Sequence, residues 1–229
     1  MRGSGRKRRA IRRVGAIVRG VRRRRDPEVA RQELLDAAER VFADVSPEQA
    51  GLKVVAREAG VSHALITHYF GTYTGLVEAT LERRIRALRA QSLQTVQSAP
   101  PSTLASALLD VLFDALADPV HVRLIKWVIA SDRPGAHHAM ALQERGLQIA
   151  ARQLASAVMP GAPPAAIEML ELAMATAIAA AYGYALARFP IAGSLGREPS
   201  AALDRGIRAT LARMLQVYLE GELAPYRKA

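Results

Sequence analysis

Between Ser62 and His68 the chain gathers two imidazoles, two hydroxyls and a small residue at helical spacing, in the order Ser62-His63-Ala64-Leu65-Ile66-Thr67-His68. Such groups on one side of a short helix suit recognition rather than bond breaking. Thr67 offers a hydroxyl and a methyl to a base edge or a thymine methyl, and Ala64 permits close approach. His63 and His68 can donate to a phosphate or to guanine, better when protonated, with plain solvent exposure as the less favoured reading. Ser62 is placed to cap the helix, with a phosphate as a secondary partner. Tyr69 can send its hydroxyl to a phosphate while Phe70 faces the core. Lys53 before the turn, and Thr72 and Tyr73 after it, are candidate backbone clamps, because phosphate contacts fix register and base contacts specify.

These side chains need two helices crossing at close range. Leu52, Val55 and Ala56 recur at helical spacing, as do Leu65, Ile66 and Phe70. Ala59-Gly60-Val61-Ser62 between them supplies a small residue, a glycine able to take positive φ, an aliphatic plug and a cap. This is helix-turn-helix patterning, with the second helix as the one to enter a major groove. An ordinary helical hairpin has the same geometry, so the flanking elements decide. Asp26-Pro27-Glu28 marks a helix start, and Leu34, Ala38, Val41, Phe42 and Val45 form a buried stripe after it. A second helix is expected over about 50–59, a third over 62–69, and a fourth from about Thr74 to the Pro100-Pro101 break.

The chain resembles the TetR-like one-component transcriptional regulators over roughly residues 29–82. The resemblance rests on Leu34-Leu35-Asp36-Ala37-Ala38-Glu39-Arg40-Val41-Phe42, on Val55-Ala56-Arg57-Glu58-Ala59-Gly60-Val61-Ser62, and on His68-Tyr69-Phe70-Gly71 with Leu76. It departs from the family pattern at Ala50-Gly51, where a capping Thr or Ser is usual, at Thr67 in place of a tyrosine, and at Tyr73 in place of a lysine. The resemblance implies an all-α protein of about nine helices. Residues 26–73 would form a three-helix DNA-binding domain, and 74–229 a helical effector-binding and dimerisation domain with the fourth helix as connector.

At 229 residues, half of them hydrophobic and 5% aromatic, the chain suits close-packed helices. It has no cysteine, which excludes disulfides, thiol catalysis and Cys-ligated metals. The acids sit at caps or beside arginines, with no Ser/His/Asp or paired-carboxylate arrangement, so no enzyme is expected. His137-His138 lacks a third ligand at i+3 or i+4; no metal or cofactor is expected. Twelve of the 32 basic residues lie in residues 1–25, including Arg22, Arg23, Arg24 and Arg25, and no acidic residue does; the other 20 face 21 acidic ones. This leader reads as a disordered arm on DNA, as an amphipathic segment for an anionic membrane surface, or as a solvated tail added by an upstream start. It shows no apolar signal core, and the uncharged run Leu172 to Ala187 falls short of a membrane span, so a soluble, cytoplasmic protein is expected.

Further helices are expected over 102–117, 119–131, 137–158, 164–189 and 199–221. Phe113, His121, Leu124, Trp127, Val128, Met140, Leu147, Met174 and Tyr182 are candidates to line an apolar effector pocket, each also readable as core. A dimer is expected, since one such unit reads too few base pairs to find a site. Its seam belongs to the last two long helices, through Ala173, Ala175, Ala177, Ala179, Ala180 and Ala181, and through Leu211, Met214, Leu215 and Tyr218; monomer core is the competing reading of the alanines. The functional expectation is a repressor on a near-palindromic duplex operator, released by a small apolar effector. The alternative is a non-specific nucleic-acid or nucleoid-associated protein acting through the Arg-rich arm.

Overall fold

A computed structural model describes residues 26–100, 102–131 and 146–226. The expected all-α architecture is what the described residues adopt. The described helices are α1 (Pro27–Asp44), α2 (Pro47–Glu58), α3 (His63–Phe70), α4 (Tyr73–Ser98), α5 (Leu104–Ala117) and α6 (Pro119–Ala130). They continue with α7 (Gly146–Val158), α8 (Pro164–Leu186), α9 (Arg188–Ser194) and α10 (Ala201–Leu223), closed by a 3-10 turn at Ala224–Tyr226. The short α9 lies in a stretch whose prolines read as a breaker. Pro190 falls in its first turn, where a missing N–H leaves no intrahelical bond unmade.

Local signals explain most boundaries. The Asp26 carboxylate accepts from the Glu28 N–H at 3.0 Å, with Pro27 in the first turn. The Asp118 and Ser200 side chains cap α6 and α10 in the same way. α2 is less regular than expected: it opens with a turn from Pro47 and kinks at Gly51, whose φ of 70° a side chain would strain.

Three apolar clusters hold the molecule together. The first joins Leu34, Leu35, Ala38 and Phe42 of α1 to Val55 of α2, Ile66 of α3 and Leu76 of α4. It also takes in Val120, Leu124, Ile125, Trp127 and Val128, so α6 is built into the core of the N-terminal helices. The second packs α5, α7, α8 and the end of α10, and the third sets Leu109, Leu112 and Leu116 of α5 against Ala177 and Ala181 of α8. α4, about 39 Å long at 1.5 Å per residue, runs from the first cluster into the other two, which Val96 and Leu88 flank.

α8 corrects one expectation. By length and composition it could cross a membrane, and only 28% of its most apolar stretch is buried. Ala173, Ala177 and Ala181 are buried at intervals of four, whereas Leu172, Thr176, Ala179, Ala180 and Gly183 stand exposed. The expected alanine seam therefore divides between an inner and an outer face.

Candidate nucleic-acid interface

The turn between α2 and α3 is drawn tight by its backbone. Gly60 takes φ 65°, the Gly60 N–H donates to the Arg57 carbonyl at 3.2 Å, and the Val61 N–H donates to the Ala56 carbonyl at 3.0 Å. Ser62 accepts from the Leu65 N–H at 3.4 Å, which fixes the first turn of α3. Ile66, fully buried, anchors the helix to the core beside Val55 and Leu76. The opposite face presents His63, Ala64, Leu65, Thr67 and His68 to solvent. Leu65 therefore departs from the inward position that its spacing suggested.

Several candidate contacts have partners within the chain. The Thr67 hydroxyl donates to the His63 carbonyl at 3.1 Å, so its methyl and lone pairs remain for a ligand. The Tyr69 ring is half-buried and meets His68 edge-on at 5.3 Å. Arg31 lies over the Phe70 ring at 5.2 Å, tying α1 to the end of α3. Thr72 caps α4 by accepting from the Gly75 N–H at 2.9 Å, and its exposed hydroxyl proton stays available. Tyr73 is the clearest departure. Its hydroxyl donates to the Pro47 carbonyl at 2.7 Å, and burial pushes its pKa up to about 12. The phenol thus holds the irregular start of α2 instead of reaching for a phosphate. Lys53 is exposed on α2. Arg22, Arg23, Arg24 and Arg25 lie outside the described residues.

The mounting of this head on the rest of the chain is polar as well as apolar. Arg83 bridges Asp36 at 2.6 Å and Glu39 at 2.7 Å, joining α4 to α1. Its neighbour Arg84 reaches Asp118 at 2.5 Å, where α5 meets α6. From α6, Arg123 donates to the Phe42 carbonyl at 2.7 Å and to the Ala43 carbonyl, at the end of α1. α1 has no basic residue in its own last turn, so α6 supplies the cation that its carbonyl end favours.

Residues 34–80 match the family model of bacterial regulatory proteins, tetR family. Those residues form a tetR-family domain. The chain is 27% identical over 125 residues to the HTH-type transcriptional regulator BetI of Proteus mirabilis, covering 52% of this chain and 62% of that one. The BetI of Rhizobium meliloti is 39% identical over 88 residues, 38% of this chain and 43% of that one. The aligned stretch thus spans less than two thirds of these relatives' length. A tetR-family regulator from Streptomyces coelicolor superposes with a TM-score of 0.59 at 23% identity, covering 89% of each chain, which extends the likeness of fold beyond the head. The domain match and these relatives support the helix-turn-helix as the DNA-binding element of a transcriptional regulator.

Among the described residues the expected effector candidates are distributed over the three clusters, with Tyr182 packed against both the first and the third. Leu124, Trp127 and Val128 are core of the TetR head, and Leu147 is 41% exposed. Met174 packs with the second cluster, and Phe113 with the third beneath the Arg208 guanidinium, 6.0 Å from its ring. Met140, His137 and His138 lie outside the described residues. One pair is hydrogen-bonded: His121 Nε2 and the Tyr182 hydroxyl lie 3.1 Å apart. Burial and the nearby Arg84 charge lower the His121 pKa to about 4, while burial raises that of Tyr182 to about 12, so both are neutral near pH 7. His121 borders a cleft of about 540 Å³ with mixed walls, Glu39, Arg84 and Asp118 beside Ala87, Leu88 and Ala115. Among the described residues no three His, Asp or Glu side chains stand grouped to hold a metal.

Proposed function

We propose that this regulator is a homodimeric repressor. It places two copies of α3 in successive major grooves of a near-palindromic operator and leaves when a small effector enters the body. The observation that carries this reading is that α3 pairs a fully buried anchor, Ile66, with a solvent-facing surface of His63, Ala64, Leu65, Thr67 and His68. A second copy has a suitable surface on α8 and α10. Leu172, Met214, Val217 and Tyr218 are 60, 64, 61 and 43% exposed, and side chains added at Gly183 or Gly206 would meet nothing within 4 Å. Leu211 and Leu215, expected at the same seam, turn inward to the third cluster.

Effector release follows from the run of α4. It starts under α3, is bridged to α1 by Arg83, and continues into the body. An effector that binds better when α4 is displaced shifts the population towards heads out of register, and coupling of this kind is typically ~1–3 kcal/mol. The His121–Tyr182 pair marks one polar anchor for such a molecule. Footprinting of genomic DNA with the full chain and excess competitor tests the proposal. Discrete protection over two half-sites about one helical turn apart is expected. Uniform protection that salt abolishes at all sequences alike would instead identify the basic leader as the whole of the activity.

A further inference from the structure

The surface of α3 is poorer in free donors than its sequence suggests. From Ala50 to Phe70 every aliphatic or aromatic residue is buried or half-buried except Ala64 and Leu65, which are adjacent in the first turn of α3. Leu65 is 37% exposed, although Ile66 beside it is completely covered. The Thr67 hydroxyl donates back to the His63 carbonyl, which removes it as a free donor. The centre of the inserted face is therefore apolar, with His63 and His68 as its polar edges.

A leucine held in the first turn of a groove-reading helix has few partners on a duplex. Base edges in the major groove are donors and acceptors, with one apolar exception, the C5-methyl of thymine. An aliphatic side chain set against a donor or acceptor would strip water from it without replacing the bond, whereas against a methyl it buries apolar surface. We infer that Leu65, with Ala64 beside it, is a specificity-determining residue that selects thymine through its methyl group. This inference rests on α3 being the reading helix. It adds that each operator half-site carries a thymine beneath the first turn of α3.

Replacing thymine by uracil removes the methyl and leaves every hydrogen-bonding group in place. Binding sites are selected from random duplexes with the full chain, and each thymine is then replaced singly by uracil. With the unmodified protein, one or two positions per half-site should lose about fourfold in affinity, the value of roughly one buried methyl group. In Leu65→Ala the loss at that position should shrink to near nothing, and in Leu65→Met, which keeps an aliphatic reach, it should persist. Leu65 is exposed, and near-UV circular dichroism of the variants verifies that they fold. Absence of any uracil penalty, or a penalty undiminished in Leu65→Ala, overturns the inference while leaving a sequence-specific regulator. Selection that yields no consensus overturns the reading on which it rests.

Discussion

Gly75, in the first turn of α4, lies directly against the Phe70 backbone carbonyl at the end of α3, so closely that a Cβ there would run into the oxygen. Backbone cannot step aside as a side-chain tip can. The contact sets the distance between the reading helix and the connector, and Thr72, which accepts from the Gly75 N–H, fixes the turn between them.

Gly75→Ala should therefore destabilise the protein. Helix propensity alone gives the opposite sign, since alanine is favoured over glycine in a helix by about 1 kcal/mol. Overpacking against an immovable carbonyl costs roughly 1–3 kcal/mol and is the larger effect. Thermal melts should show a lowered midpoint, with operator affinity falling as α3 tilts. A raised midpoint would mean that the two helices separate freely.

Arg123 is expected to matter for the same assembly from the other side. Arg123→Met keeps the aliphatic stem and removes the donors to the Phe42 and Ala43 carbonyls. The loss should be about 1–2 kcal/mol, at the low end for a charged donor because Ala43 is open to water. The melting midpoint should drop by a few degrees. Hydrogen exchange in the last turn of α1 should quicken, and exchange unchanged there would remove Arg123 from the mounting of the head.

His121 gives the fold an acid-side dependence. Its folded pKa of about 4 lies below the ordinary 6.5, so near pH 5 the unfolded chain binds a proton that the native imidazole refuses. This contribution is fully present above pH 6.5 and is lost as the pH falls towards 4, to an extent of up to about 3 kcal/mol. His121→Gln, which retains a hydrogen-bonding partner for Tyr182, should flatten the stability profile between pH 6.5 and 4 relative to the unmodified protein. Parallel profiles would show that the imidazole charges without unfolding anything.

The leader should act through charge. Its twelve basic residues and no acidic one should contribute phosphate contacts at any sequence. Removing residues 1–25 should weaken binding to specific and random duplexes alike and reduce the slope of log affinity against log salt. An unaltered slope makes the leader a bystander.

What could be read from residue order was local. Asp26-Pro27, Gly60 and Ser62 act within a few residues of themselves, and the structure uses the first and last as caps and Gly60 at positive φ. The features that escaped depend on distant partners. Periodicity placed Leu65 on a face with Ile66 and Phe70 but could not say where that face stops being covered. Leu124, Trp127 and Val128 could be read as pocket lining or as core because their apolar stripe does not name its neighbour, which is the α1–α4 core. The Tyr73 bond to Pro47 spans 26 residues. The kink at Gly51 follows from a glycine that could equally have continued the helix.

The proposed dimer makes the most exposed prediction. Val217 and Met214 lie on the outer side of α10, 61 and 64% exposed, on a helix whose inner residues Leu211 and Leu215 already pack with α5 and α8. Val217→Glu adds a charge where the single chain has only solvent, so an isolated subunit should tolerate it. At a seam between two copies the same carboxylate would be desolvated without a partner, a penalty that usually exceeds what one apolar contact returns. Sedimentation should then report half the mass of the unmodified protein. Operator affinity should fall by at least about tenfold as the linked second head is lost, while circular dichroism stays helical. A variant that sediments as before and keeps its affinity would place the seam away from α10.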